Sequence, residues 1–270
     1  KDRIKDLKNR NFKFYKLDIT QKEKLFSILK KNKITHVVHL AAQAGVRYSL
    51  KFPEKYFHSN LLGTFSILEC CKNLKIKNLL LASTSSVYGD DPKKFSSEKF
   101  HSDFPIQFYA ATKRSTEIMA HSYSCLYKIP VICMRFFTVY GPWGRPDMAL
   151  FKFTKNILSG KSIEIYNKGN MVRDFTYIDD LVKAIFLLIS EVPKKASKRK
   201  KIIKNDSISD VAPFRIVNIG NSQPINLLDY IKELENVLGK VAQKKFLSMQ
   251  DGDMYKTHSN IGLLKALTGF

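Results

Sequence analysis

The residues of this chain best suited to proton chemistry are Tyr109 and Lys113, four apart in Tyr109-Ala110-Ala111-Thr112-Lys113. On a helix that spacing sets both side chains on one face. A free tyrosine titrates near pH ~10, and a neighbouring ammonium favours the phenolate, moving it toward a usable general base. Taken alone, such a pair also describes an ordinary solvated helix face. A second feature strengthens it: the hydroxyl cluster Ser83-Thr84-Ser85-Ser86-Val87-Tyr88-Gly89 lies where an apolar strand ends, one helical connection earlier. Hydroxyls there can hold a substrate oxygen beside the base. His36 and His39 have the residue type of a metal pair. Three apart on an apolar strand, however, they point to opposite faces, and no metal is expected.

These groups need a frame, and the apolar pattern supplies one. With 270 residues and 44% hydrophobic composition, the chain can bury a substantial core as one large or two modest domains. Phe12 to Leu17 reads as a strand, and Thr20-Gln21-Lys22-Glu23 as a capping box opening a helix with Leu25, Phe26 and Leu29 inward. Thr35 to Leu40, Asn78 to Ser83, Val131 to Phe136 and Arg215 to Gly220 read as buried strands. Helices are expected after Pro53, carrying Tyr56, Leu61, Phe65 and Leu68, and over Tyr109 to Tyr127, Asp179 to Ser190 and Leu227 to Leu238. Strands that are apolar throughout and alternate with helices give a doubly wound α/β parallel sheet covered on both faces. Such sheets bind ligands beyond the carboxyl ends of their strands.

Composition excludes several classes. No apolar run approaches the ~18 residues of a membrane span, so none is expected. The net charge of +22 comes from 37 Lys and only 9 Arg, with the lysines scattered rather than gathered on an aromatic-interleaved stripe; nucleic acid is not the expected partner. Pro193 to Lys201 is a basic run in an insertion loop, read as solvated in preference to a docking signal. Cys70, Cys71, Cys125 and Cys133 have no Cys-x-x-Cys spacing, which suits reduced thiols and a cytoplasmic setting.

The assembled motifs resemble one family, the extended short-chain dehydrogenase/reductases that act as NAD-dependent sugar-nucleotide epimerases and dehydratases. The matching segments are Leu17-Asp18-Ile19, His39-Leu40-Ala41-Ala42, Asn60-Leu61-Leu62-Gly63-Thr64, the hydroxyl cluster, Tyr109 to Lys113, and Val172-Arg173-Asp174-Phe175-Thr176-Tyr177-Ile178-Asp179-Asp180. Within the family the chain is most similar to the UDP-glucuronate 4-epimerases, through Ala41 to Ser49 and Phe137 to Ala149. The resemblance implies a Rossmann-type NAD domain over 1–140 that also receives 174–190 and 215–220. A substrate-binding lobe would comprise 141–173 and 221–270, with 191–214 as the basic insertion loop. It further implies a UDP-sugar substrate, a homodimer built on helices that include Tyr109 to Tyr127, and a product used in polysaccharide biosynthesis.

By the same resemblance Tyr109, Lys113 and Thr84 are catalytic. Tyr109 takes the proton of the sugar 4-hydroxyl while C4 passes hydride to NAD, and hydride returns to the other face of a 4-keto sugar. Asp18 and Ile19 would face the adenine; Leu40, Ala41 and Ala42 the centre of the cofactor; Lys113 the nicotinamide ribose. Asn60, Ser83 and Phe136 complete the cofactor site. Arg145 is implied at the sugar carboxylate, Arg173 at the pyrophosphate, and Thr138, Ser85 and Arg47 near the substrate. Arg47 also reads as a solvated loop cation, and Ser85 competes with Thr84 for the substrate oxygen. Family dehydratases carry an acid just before the Val/Leu-Tyr-Gly; here that position is Ser86, which favours plain epimerisation. The family's glycine-rich G-x-x-G-x-x-G turn has no counterpart before Asp18. The chain is therefore expected to lack an N-terminal unit and, taken literally, to bind NAD poorly. A neutral-sugar 4-epimerase and a truncated scaffold without catalysis are the alternative readings.

Overall fold

Hydrophobic alternation within the strands dictates how the chain layers. The computed structural model describes residues 11–90, 95–195 and 203–270. Four parallel strands, β1 (His36–His39), β2 (Asn78–Thr84), β3 (Val131–Phe136) and β7 (Phe214–Ile219), form one sheet in the order β1-β2-β3-β7. Because side chains alternate across a strand, Leu79, Leu81, Val131 and Cys133 face one core. Helices α1 (Lys22–Lys31), α4 (Gly63–Leu74) and α5 (Phe108–Tyr127) cover it, through Leu25, Ile67, Leu68 and Ala120. Leu80, Ile132 and Met134 face the opposite core, under α7 (Ile178–Ser190) and α9 (Gly262–Thr268). Every residue of β2 is buried. Truncating one of its fully buried leucines to Ala would cost about 2–5 kcal/mol.

A smaller group of elements packs beyond the strand ends. Strands β4 (Thr138–Tyr140), β6 (Val172–Tyr177) and β8 (Pro224–Asn226) make a three-stranded sheet, and β5 (Ile163–Ile165) pairs with β9 (Lys244–Phe246). Helices α6 (Ala149–Leu158) and α8 (Leu227–Leu238) enclose a third core around Phe153, Ile163 and Ile231. Asp174, fully buried on β6, ties this region together. Its carboxylate accepts the Asn221 and Ser222 amides and both the amide and the hydroxyl of Ser259.

Three local expectations are corrected. Phe12 to Leu17 is not a strand: no strand of the described chain lies alongside to complete a ladder, and Lys13 and Tyr15 instead bond Asn32 at the end of α1. Thr20 does not cap α1; Gln21 occupies that position, while the Thr20 amide and hydroxyl both turn to Asp18 Oδ1 at 2.9 Å. The helix after Pro53 is broken into α3 (Pro53–Tyr56), a π-turn (Phe57–Leu62) and α4, preceded by the short α2 (Val46–Lys51). Most of the basic run lies outside the described residues. No helix among the described residues is long and apolar enough to cross a membrane.

Candidate active site

Parallel pairing aligns Thr84 on β2 with Phe136 on β3 and Ile219 on β7, so the predicted hydroxyl and the predicted cofactor residue share one strand-end row. Helix α5 then lays Tyr109 across that row. The Thr84 hydroxyl and the Arg145 guanidinium both pull the phenol toward the phenolate, but burial dominates and holds its pKa above the ordinary value. The Thr84 oxygen also accepts the Ser86 amide at 3.2 Å, fixing the turn that follows the strand.

Lys113, one turn along α5, is buried and donates Nζ to the Ala82 carbonyl at 2.9 Å. Burial pulls its pKa down to about 8. The bond to the Ala82 carbonyl anchors the lysine to β2. His39 is likewise buried, with Nε2 3.2 Å from Thr64 Oγ1; burial first, and then the Lys113 charge, pull its pKa down to about 3.

Ser83 does not turn its hydroxyl to the groove. It donates to Glu117 Oε1 at 2.6 Å, part of a buried network that sequence reasoning missed. Glu117 also accepts Arg135 Nε at 2.9 Å and Nη2 at 2.7 Å, and Arg135 lies over the Tyr88 ring. Tyr88 in turn donates to Asn218 at 2.7 Å. These groups rigidify the floor of the site. The register Ser83–Arg135–Asn218 could have suggested the network once strand pairing was known.

The Asn60 assignment gains a physical role. From the π-turn, its side chain accepts the Gln43 amide at 2.8 Å and donates to the Gln43 carbonyl at 3.1 Å and to Thr112 Oγ1 at 3.0 Å. It clamps the loop after β1 to α5. That loop, with Ala41, Ala42 and Gln43, forms one wall of a groove of about 530 Å³; Lys16, Leu17, Asp18, Ile19 and Ser59 form the rest. Leu40 is exposed just ahead of it, and Ile19 packs against Gly63, where a Cβ would meet its Cδ1 at 2.6 Å.

On the other side of Tyr109 the predicted substrate residues gather. Arg145 lies against Gly45, where a Cβ would meet Nη2 at 3.1 Å and where the φ of +112° itself favours glycine. Tyr56, expected only as an apolar helix residue, donates to the Gly45 carbonyl at 2.5 Å and packs edge-on to Tyr109 with centroids 6.0 Å apart. Arg47 pairs with Asp253 at 2.9 Å and covers the Tyr166 ring. Arg173 donates to the Val172 and Tyr255 carbonyls, and burial is the main influence lowering its pKa, with Asp253, Asp90 and Arg47 also acting on it. Arg47 and Arg173 are thereby brought into one cluster. Thr138 begins β4, paired with Phe175, and Ser85 is buried in the turn after β2.

Residues 1–203 match the sequence pattern of the NAD dependent epimerase/dehydratase family. The chain is similar to Protein CapI of Staphylococcus aureus, 46% identical over 260 residues that cover 96% of this chain and 78% of that protein. It is also similar to a probable UDP-glucuronate 4-epimerase of Rhizobium meliloti (strain 1021), 50% identical over 234 residues, covering 87% and 69% respectively. Among solved structures it resembles UDP-glucuronic acid 4-epimerase from Bacillus cereus in complex with UDP-glucuronic acid and NAD. The TM-score is 0.85 at 34% identity, covering all of this chain and 79% of that one.

Proposed function

Because this chain belongs to the NAD dependent epimerase/dehydratase family, we propose that it performs NAD-dependent 4-epimerisation of a UDP-hexuronic acid, UDP-glucuronate to UDP-galacturonate. The observation that carries the choice of an acidic sugar is Arg145, a guanidinium fork set at Gly45 beside Tyr56, the ring that meets Tyr109 edge-on. Such a fork suits a bidentate carboxylate. The named activities of the Rhizobium and Bacillus relatives point the same way.

The cofactor groove fits an adenosine: apolar Leu17, Ile19, Ala41 and Ala42 beside the polar ends of Asp18, Gln43 and Ser59. NAD, when bound, supplies the acceptor for the C4 hydride and its return. Everything else falls to the chain. Tyr109 exchanges the proton of the 4-hydroxyl, assisted by the Thr84 hydroxyl and the Arg145 charge. Lys113 holds its proton against the Ala82 carbonyl and fixes the α5–β2 distance on which that exchange depends. Arg173 and Arg47 would hold the pyrophosphate. With the nucleotide anchored at a distance from the reacting carbon, the sugar can turn over between hydride removal and return.

The proposal includes a homodimer through α4 and α5, which expose Phe65, Ile118 and Leu126, a cytoplasmic setting, and a product that serves as a galacturonate donor for polysaccharide synthesis. The test incubates the NAD-loaded full-length enzyme with UDP-glucuronate and with UDP-glucose, and separates the products. Wild type should form UDP-galacturonate. Arg145→Ala should lower kcat/KM for the uronate about 10- to 150-fold relative to the neutral sugar, the worth of a charged hydrogen-bonded contact of about 1.5–3 kcal/mol. No UDP-galacturonate from wild type would overturn the assignment.

A further inference from the structure

The Arg145 fork already holds a carboxylate. Asp147, two residues on, receives Nε on Oδ1 at 3.0 Å and Nη2 on Oδ2, the same two-point geometry that a sugar carboxylate would use. We propose that Asp147 acts as an internal competitor of the substrate: it occupies the Arg145 fork and is exchanged for the carboxylate of the substrate. The inference rests on the reading of Arg145 given above.

Three features support exchange over a fixed structural pair. First, the side chains are 44% and 56% exposed, so the pair contributes little and is readily given up. Second, both residues sit on one tight turn, closed by Met148 N to Arg145 O at 3.2 Å. Asp147 therefore stays beside the fork after displacement and re-forms the pair when the sugar leaves. Third, the guanidinium rests against the bare backbone of Gly45 at the edge of the Tyr56 and Tyr109 rings, where a sugar carried by Tyr109 can reach it. A second substrate-side cation has the same design, since Arg47 holds Asp253 at 2.9 Å.

An acidic sugar replaces one carboxylate by another, and the charge balance of the fork is kept. A neutral hexose offers no replacement, and Arg145 stays with Asp147. Asp147 thus lowers the affinity of the correct substrate modestly while ensuring that the arginine is never left as an uncompensated cation open to any anion.

The experiment measures calorimetric affinities of the NAD-loaded full-length enzyme for UDP-glucuronate, UDP-glucose and UDP, in wild type, Asp147→Asn, Arg145→Ala and the double variant. Asp147→Ser repeats the measurement in case the amide rearranges the turn. Removing the Asp147 charge should tighten UDP-glucuronate about two- to five-fold, the scale of an exposed pair. UDP-glucose and UDP should be unchanged, and the effect should vanish in the Arg145→Ala background. Weaker or unaltered uronate binding in both Asp147 variants would overturn the inference, as would equal tightening of all three ligands. If instead Arg145→Ala leaves the preference for the uronate intact, the carboxylate assignment itself fails, and Asp147 with it.

Discussion

Glu117 and Arg135 form the pair on which the site floor depends, and removing the charge of Glu117 should be among the most damaging conservative changes in the chain. Both side chains are 1% exposed. Glu117 accepts four hydrogen bonds, from Ser83 at 2.6 Å, Arg135 at 2.9 and 2.7 Å, and Arg114 at 3.1 Å. Burial pushes its pKa up, but the Arg135 charge, with the Arg135, Ser83 and Arg114 contacts, outweighs this, and the net shift is downward. Glu117→Gln would leave the Arg135 cation buried opposite a neutral amide, a loss of about 3–5 kcal/mol. That is a large part of a typical net stability of about 5–15 kcal/mol. At a urea slope of roughly 3 kcal/mol/M, the unfolding midpoint by circular dichroism should fall by roughly 1–1.7 M at pH 7. A carboxyl whose pKa is depressed on folding stabilises above its unfolded value of 4.5, and that stability is lost as pH falls through the folded pKa. The variant should therefore have a flatter acid limb than wild type. Replacing both partners by leucine should cost less than the two single changes combined, because no buried ion remains. A loss below about 1 kcal/mol for Glu117→Gln, or strict additivity in the double leucine variant, would refute the argument.

Three further predictions concern the site. Tyr109→Phe should keep the fold and NAD binding while lowering kcat about 10²- to 10⁴-fold, the range of a general acid–base group; a residual rate within ten-fold of wild type would remove Tyr109 from the mechanism. Asn60→Ala leaves the half-buried Gln43 amide without its acceptor, so it should cost about 1–3 kcal/mol in thermal or urea stability and weaken NAD binding in a titration. His39 carries a pH signature. Its pKa is about 3 in the folded chain against 6.5 unfolded, so between those values the unfolded chain binds the extra proton and stability must fall as pH drops. The full window corresponds to about 5 kcal/mol at 1.36 kcal/mol per pKa unit. His39→Asn should therefore lose less stability than wild type between pH 7 and 5 in urea titrations, and an unchanged pH slope would rule the effect out.

Much of this protein was legible in its sequence because local pattern and local chemistry coincide. Apolar strands alternating with amphipathic helices require a sheet covered on both faces, since no other layering buries Leu79 to Leu81 on both sides. The spacing of Tyr109 and Lys113 fixes their shared helix face, and the hydroxyls after Ser83 mark a strand end. Local cues failed where a strand needed a partner, as at Phe12 to Leu17, or where a hydroxyl found a partner other than the helix end, as Thr20 did in Asp18. What the tertiary structure alone decided is which groups face one another across long separations. Lys113 goes to the Ala82 carbonyl, Ser83 to Glu117, Tyr56 to the Gly45 carbonyl, and Asp253 to Arg47, 206 residues away. Residue type announces that a buried serine or an arginine must find a partner. The partner itself is chosen by strand register and by loop closure, and neither is written in any local window of the sequence.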